Sequence, residues 1–268
     1  MTDYPFAFVP LPSERSNEKP RISGRTMFID WGLDMARVEG LMRLAGDYVD
    51  IVKIPIGTAR LYDEGLLREK FDVYHRHNVL TYVGGGFIEH VYAIEGLKSL
   101  GRMFEESKRV GFDILEISDN YIPLDKGERQ NQIRMAIQQG LTVYGEVGSK
   151  HDKTDAETLI RQADECFEAG AAGVVLEGAE LVENGDINRQ LLDKITAGLD
   201  LTKAMIEVPG PWVSGVTWSM VQDLTKLLIK EVGPDVNLGN IMPDDIIHTE
   251  ALRVGLGVVQ PTVKTAID

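Results

Sequence analysis

Short apolar runs alternate with longer amphipathic segments along most of the chain. Eight apolar runs have the length and composition of β-strands, at residues 26–30, 48–54, 80–83, 114–117, 142–146, 173–177, 204–207 and 236–238. The segments between them repeat apolar positions with the helical period, most clearly at 64–77, 97–110, 128–139, 155–169, 188–198 and 217–232. This alternation predicts a parallel sheet, either closed into a barrel or open and doubly wound.

The ends of these segments and their spacing favour the barrel. Asp63, Thr154 and Thr217 stand where helix N-caps are expected. The strand–helix units follow one another regularly, and no glycine fingerprint of a dinucleotide-binding fold follows the first strand, so an open Rossmann-type sheet is the less favoured alternative. We predict a single (β/α)₈ barrel over residues 25–268, preceded by an extended, proline-rich arm over residues 1–24.

Charged residues close six of the eight predicted strands: Asp30, Lys53, Glu116, Glu146, Glu177 and Glu207. In a barrel of this kind the C-terminal strand ends form the mouth, where the active site is built. Several carboxylates buried together need a shared proton or cation. We therefore predict a Mg²⁺ site with four ligands, Asp30, Glu116, Glu146 and Glu177. The alternative is that these acids only neutralise nearby lysines or hydrogen-bond to loops.

Lys53 ends an apolar strand, an unusual place for an ammonium group. It is predicted to anchor an anion or enolate, to donate a proton or to form a Schiff base, or else to form an ion pair with a neighbouring acid. Glu146 and Glu207 are further catalytic candidates, and the loop after the fifth strand adds Lys150. His90 follows the triple glycine 84–86 and is expected close to the mouth.

Composition and charge narrow the possible partners. The 268 residues carry a net charge of −14, which disfavours nonspecific binding to nucleic acid or to an anionic membrane, whereas a few local cations still permit an anionic substrate. Cys166, the single cysteine, lies in a helical segment and is interpreted as a buried core residue. The sequence contains neither a signal-peptide pattern nor a membrane-length apolar stretch, so a cytoplasmic protein is predicted.

Ordered motifs over residues 21–257 resemble the phosphosulfolactate synthase family. They include Val52-Lys53, Gly84-Gly85, Glu116-Ile117-Ser118-Asp119, Glu146-Val147-Gly148, Glu177-Gly178 and Ile206-Glu207-Val208-Pro209. The resemblance implies a barrel, a homo-oligomer and a Mg²⁺-dependent addition of sulfite to phosphoenolpyruvate. It also implies that Lys150 protonates an enolate-like intermediate. Candidate substrate-binding residues are Gly85, Gly86, His90, Ser118, Asp119 and Trp212.

The sequence departs from the family pattern mainly where a substrate phosphate would bind. The family's Phe-Gly-Trp-Gly-Thr after the lysine is Ile54-Pro55-Ile56-Gly57-Thr58 here, and its Ser-Asp-Gly is Ser118-Asp119-Asn120. After the sixth strand, Glu-Gly-Arg becomes Glu177-Gly178-Ala179-Glu180, so an arginine is lost and an acid follows. Phosphate sites generally use Arg or Lys together with backbone amides. An altered substrate specificity is therefore predicted.

Three functions remain open on these observations. The first is a synthase or lyase that handles phosphosulfolactate or a close relative. The second is a divergent lyase that cleaves C–C or C–O bonds of an unphosphorylated aromatic or aryl-alkyl substrate, with a pocket lined by Trp31, Phe87, Tyr121, Trp212 and Trp218. The third is a barrel without catalytic activity that serves as a binding module.

Overall fold

Eight parallel strands close into a barrel in the computed structural model, which describes residues 5–13, 15, 18–148, 154–183, 186–210 and 212–257. The barrel strands are β1 (Thr26–Ile29), β2 (Ile51–Ile54), β3 (Leu80–Val83), β4 (Ile114–Ile117), β5 (Thr142–Val147), β6 (Gly173–Glu177), β9 (Ala204–Glu207) and β10 (Leu238–Ile241). Strands β7 (Val182–Glu183) and β8 (Asp186–Ile187) form a separate hairpin after β6. Strand β1 pairs with both β2 and β10, so the predicted barrel is confirmed.

Helices surround the barrel and follow the strands as the periodicity predicts. They are α1 (Met35–Ala45), α2 (Glu64–Arg76), α3 (Gly85–Glu95), α4 (Leu97–Val110), α5 (Lys126–Gln138), α6 (Ala156–Glu168), α7 (Arg189–Gly198), α8 (Trp218–Val232) and α9 (Ile246–Arg253). Asp63 and Thr217 cap α2 and α8 as predicted. The predicted cap at Thr154 is wrong by one residue, because the Asp155 carboxylate accepts the amide hydrogen of Thr158.

Side-chain alternation inside the barrel determines which residues reach the mouth. Seven inward-facing residues form a buried apolar layer: Met27, Ile51, Tyr82, Ile114, Tyr144, Val175 and Met205. Because successive strand side chains point to opposite faces, the residues two positions further on form the next inward layer. That mouth layer consists of Ile29, Lys53, Gly84, Glu116, Glu146, Glu177 and Glu207. Asp30 comes one position after the inward-facing Ile29, so its side chain points away from the barrel interior and contacts Lys70 on α2.

The described part of the predicted arm lies at the end of the barrel opposite the mouth. Arg21 pairs with Asp50, just before β2, at 2.8 Å, and Arg15 pairs with Glu250 at the same distance. The Lys19 ammonium donates to the carbonyl of Gly46 after α1 at 2.7 Å. The division at residue 24 stays a prediction. None of the helices within the described ranges is long and apolar enough to cross a membrane.

Candidate active site

Lys53 is the buried cation of the mouth layer. Its side chain is 8% exposed, and Nζ lies 2.8 Å from Glu116 Oε2 and 2.6 Å from Glu207 Oε1. The ammonium also lies 5.4 Å from the centre of the Tyr82 ring. Both carboxylates therefore contact the same buried positive charge, and loss of that charge would remove a favourable contact from each of them in a poorly solvated site.

The Glu116 carboxylate is fixed by donors from two neighbouring elements. The Tyr82 hydroxyl donates to Oε2 at 2.5 Å, and the Gly85 amide at the start of α3 donates to Oε1 at 2.7 Å. Burial, and then the charge of Glu116, raise the pKa of Tyr82 well above 10, so this hydroxyl remains a donor. Gly85 leaves no room for a side chain, because a Cβ would lie 2.2 Å from Ser118 Oγ. Glycine thus allows α3 to approach the carboxylate.

Two asparagines orient the other carboxylates of the layer. Asn240 Nδ2 donates to Glu207 Oε2 at 2.6 Å, and Asn120 Nδ2 donates to Glu146 Oε2 at 2.7 Å. Asn240 reaches Glu207 from β10 with a left-handed backbone (φ 61°), which asparagine tolerates better than most residues. The Oδ1 atoms of both asparagines are buried and accept no hydrogen bond from the described residues. They are acceptors that a substrate hydroxyl or a hydrated cation can use.

Three carboxylates of the layer form a compact group suited to a cation. One oxygen each from Glu146, Glu177 and Glu207 lies within 4.8 Å of the others, and all three residues are buried. With Glu116, the layer holds four carboxylates, and Lys53 pairs with two of them. Three hard oxygen donors close together are a ligand set that suits Mg²⁺.

The other predicted metal ligands have different partners. Asp30 bonds to Lys70 at 2.5 Å and accepts the Tyr74 hydroxyl at 2.7 Å, and its other oxygen accepts the amides of Gly32 and Leu33. These contacts face α2 and the loop after β1, away from the three-carboxylate group. Glu116 belongs to the mouth layer but pairs with Lys53 outside that group.

The predicted substrate-binding residues divide between the mouth and its surroundings. Gly85, Gly86 and Trp212 line a mouth cavity of about 70 Å³ that also includes Lys53, Glu116 and Glu207. Trp212 packs against Trp31 with 5.4 Å between ring centres, so an aromatic pair borders this cavity.

Ser118, Asp119 and His90 lie beside the mouth cavity. Ser118 donates to the buried Glu89, Asp119 pairs with Arg129, and His90 lies on the exposed face of α3. Burial raises the pKa of the Asp119 carboxyl. Lys150 is outside the described residues.

Sequence reasoning missed Asn120, Asn240 and Glu89 as parts of this site. The predicted eighth strand stops at residue 238, whereas β10 continues to Ile241 and so includes Asn240. Extending the predicted strand by two residues would have included Asn240, which directly follows Gly239, the residue paired with Glu207. Glu89 lies in α3, which begins in the triple glycine and is not among the helical segments predicted from the sequence.

Comparisons of the whole chain with known proteins agree with this architecture. Residues 14–258 match the profile of the (2R)-phospho-3-sulfolactate synthase (ComA) family. The chain is 31% identical over 261 residues to "Phosphosulfolactate synthase" of Methanothermobacter thermautotrophicus, covering 93% of this chain and 95% of the relative. It is 30% identical over 244 residues to the protein of the same name in Methanocaldococcus jannaschii, covering 87% and 92%.

Solved structures support the fold at much lower sequence identity. The YdjI aldolase of Escherichia coli K12 superposes with a TM-score of 0.55 and 14% identity, covering 85% of this chain and 78% of that one. At this low sequence identity, the similarity shows only that the two proteins share the barrel fold. The match to the family profile over most of the sequence is more specific, and it agrees with the resemblance of the mouth motifs. The chain belongs to the phosphosulfolactate synthase family, a family of lyases.

Proposed function

We propose that this chain is a lyase that makes or breaks a bond beside the carboxylate of a small organic acid, using Lys53 and the carboxylates of the mouth layer. The observation that carries the proposal is the buried Lys53 ammonium between Glu116 and Glu207, next to the group formed by Glu146, Glu177 and Glu207. Such a site favours a reaction in which negative charge develops at a substrate oxygen.

The reference reaction is the one that the family resemblance implies. The sulfur lone pair of sulfite forms a C–S bond to the CH₂ carbon of phosphoenolpyruvate, and the π electron pair moves towards the carbon beside the carboxylate. That carbon then takes up a proton, and the phosphate stays on its oxygen. In this proposal Lys53 stabilises the charge that spreads into the substrate carboxylate, and Lys150 supplies the proton.

Mg²⁺ is proposed at Glu146, Glu177 and Glu207, where three hard donors lie within reach of one ion. When bound there, it would supply positive charge to the substrate carboxylate. Asn240 and Asn120 keep the oxygens of Glu207 and Glu146 oriented by donating to them. Tyr82, protonated because its pKa is raised, does the same for Glu116.

A second candidate, an unphosphorylated substrate, is favoured by the charge of the loops after the last two barrel strands. Barrel enzymes frequently bind phosphate in the loops after the seventh and eighth strands. Here a cavity of about 330 Å³ in that position is lined by Asp244 and Asp245, and its described lining contains no Lys or Arg. After β6, Ala179 stands where the family tends to have an arginine, and the acid Glu180 follows it.

Turnover of the reference substrates tests the proposal. The purified protein is incubated with phosphoenolpyruvate, sulfite and Mg²⁺, and ³¹P NMR is used to follow a new phosphate ester. We expect a product that depends on both sulfite and Mg²⁺. Absence of product would reject the reference reaction and leave the unphosphorylated substrate as the candidate. Full turnover in EDTA would reject the proposed role of Mg²⁺ in the reaction.

A further inference from the structure

An apolar groove lies beside the barrel mouth, between the loop after β2 and the outer face of α3. Its volume is about 540 Å³, within the range of about 300–1,000 Å³ that is usual for small-molecule sites. Phe87 and Ala93 of α3 form one wall, and Ile56 and Leu61 form the other. None of these residues belongs to the carboxylate layer, so the groove adds a surface that the proposed chemistry does not use.

The groove and the mouth cavity share part of their lining. Ile56, Gly86 and Tyr121 line both spaces, whereas Lys53 and Glu207 line only the mouth cavity. A Cβ on Gly86 would lie 3.7 Å from the Tyr121 ring and 3.8 Å from Ile56 Cγ2, which is ordinary contact. The two cavities therefore adjoin at Ile56, Gly86 and Tyr121.

The shared wall is held in a strained conformation. Ile56 has φ 48°, a left-handed value that a β-branched side chain rarely adopts, and its side chain is half exposed. Strain of this kind costs about 1–3 kcal/mol and persists mainly where surrounding structure and function maintain it. In this conformation the Ile56 side chain lies at the boundary between the two cavities.

The opposite wall is fixed by Glu89. This buried carboxylate accepts the Ser118 hydroxyl and the backbone amides of Tyr121 and Ile122, the last two at 2.6 and 3.0 Å. The three donors fix the 118–122 loop against α3. The groove is therefore preformed, which lowers the conformational cost of binding a ligand.

Two basic side chains border this apolar surface. Arg60 and His90 both line the groove, and neither side chain forms a hydrogen bond or an ion pair with another residue in the described part of the chain. The one acidic residue in the described lining, Glu89, is already hydrogen-bonded to the 118–122 loop. On a protein with a net charge of −14, the Arg60 guanidinium gives this groove a local positive charge, which favours an anion.

We infer that the groove is a specificity subsite for the distal part of the substrate, an aryl or short alkyl group that ends in an oxyanion bound by Arg60 and His90. This inference rests on the proposed function, because the reacting carboxylate of the same molecule would lie at Lys53. Apolar walls bind the hydrocarbon part, and the guanidinium can bind a carboxylate, sulfonate or phosphate through paired hydrogen bonds.

Calorimetric titration with small probes tests the subsite directly. Phenyl phosphate and benzenesulfonate carry both an aryl group and an oxyanion, inorganic phosphate lacks the aryl group, and benzyl alcohol lacks the charge. Measured in EDTA, the two aryl anions should bind at least about tenfold more tightly than either single-feature probe, because both parts of the groove are used. Whichever of these two probes binds more tightly identifies the preferred oxyanion. Equal affinity for all four probes would overturn the inference.

Substitutions in the groove locate the binding. Arg60→Ala should weaken binding of the preferred aryl anion about tenfold or more, whereas Arg43→Ala, on the exposed last turn of α1, should not. Ala93→Phe should block the groove, and Ala93→Ser is its matched control at the same exposed position. Unchanged affinity in both Arg60→Ala and Ala93→Phe would reject the subsite. If Ala93→Phe changes the oligomeric state in sedimentation, the groove is an interface between copies and the inference fails.

The probe experiment fails or succeeds independently of the proposed chemistry. Titration in EDTA needs neither turnover nor metal, and Lys53 is outside the groove lining. Binding without turnover of phosphoenolpyruvate and sulfite would support the subsite and count against the reference reaction. Turnover without selective probe binding would support the reference reaction and count against the subsite.

Discussion

Replacing Glu177 by glutamine should stabilise the metal-free protein while weakening its proposed metal site. Glu177 is buried beside Glu146 and Glu207, and the three carboxylates lie within 4.8 Å of one another. Two unit charges at that distance repel by about 3.5 kcal/mol at an effective dielectric constant of about 20. Glutamine keeps the shape and an oxygen that can accept the Ala179 amide, now at 3.2 Å, but it removes both repulsions.

The net gain should be smaller than the two repulsions together, because Lys53 and the other neighbours of these carboxylates already offset part of the negative charge. We expect an increase in the free energy of unfolding of about 1–3 kcal/mol in EDTA. For a domain of this size that corresponds to roughly 2–4 °C in Tm for each kcal/mol. Mg²⁺ at a hundred times its Kd should add about 2.7 kcal/mol to the wild type. Glu177→Gln should lose about 1.3 kcal/mol of that gain if its Kd rises tenfold.

Thermal unfolding with EDTA and with Mg²⁺ measures both effects in one assay. Glu165→Gln is a matched control, because this buried glutamate pairs with Arg161 at 2.8 Å and lies 3.7 Å from Arg129. That control should lower Tm equally under both conditions. If Glu177→Gln has an unchanged or lower Tm in EDTA and keeps the full Mg²⁺ effect, the three carboxylates are neither repulsive nor a metal site.

Three further predictions concern a positioning residue, a titrating pair and the single thiol. The Asn240→Gly variant tolerates the backbone φ of 61° but lacks the 2.6 Å hydrogen bond to Glu207. Its kcat should therefore fall about tenfold or more, while its Tm stays within a few degrees of the wild type. An unchanged kcat would contradict the positioning role of Asn240. The hydrogen bond to Asp113 raises the pKa of His75 above 6.5, so this pair stabilises the fold below that pH and the effect is lost as pH rises through the raised pKa. In urea titrations, His75→Gln should therefore destabilise the protein more at pH 5.5 than at pH 9, and an equal loss at both would refute the linkage. Burial raises the pKa of Cys166 to about 12, so Ellman's reagent should react with it only after unfolding, and rapid labelling of the native protein would be inconsistent with the core position.

The barrel was predictable because its local signals agree with one another. Strands β3, β4, β6 and β9 coincide with the apolar runs, and helix α4 has the predicted bounds. Glutamates that close successive strands necessarily meet at the C-terminal end of a parallel barrel. Lys53 and Glu207 could therefore be placed in one site before their 2.6 Å contact was known.

The parts of the site that escaped prediction depend on side-chain direction and on packing. Asp30 closes a strand like the glutamates, but it is one position beyond the inward-facing Ile29, so its carboxylate pairs with Lys70 instead. Sequence reasoning that notes only which residue ends each strand does not show whether that side chain points into the barrel or away from it. The groove is also invisible in the sequence, because Arg60 and His90 come from separate strand–helix units and meet only at the mouth.

Turnover by Lys53 variants tests the central claim most directly. Methionine fills a similar volume without charge, and arginine keeps the charge with a different shape. In assays with phosphoenolpyruvate, sulfite and Mg²⁺, Lys53→Met should lower kcat by a factor of about 10² or more, because the charge that develops on the substrate loses the stabilising Lys53 ammonium. Lys53→Arg should retain more activity than Lys53→Met. A folded Lys53→Met protein with near wild-type kcat would contradict the proposal that this lysine and its carboxylates form the catalytic site.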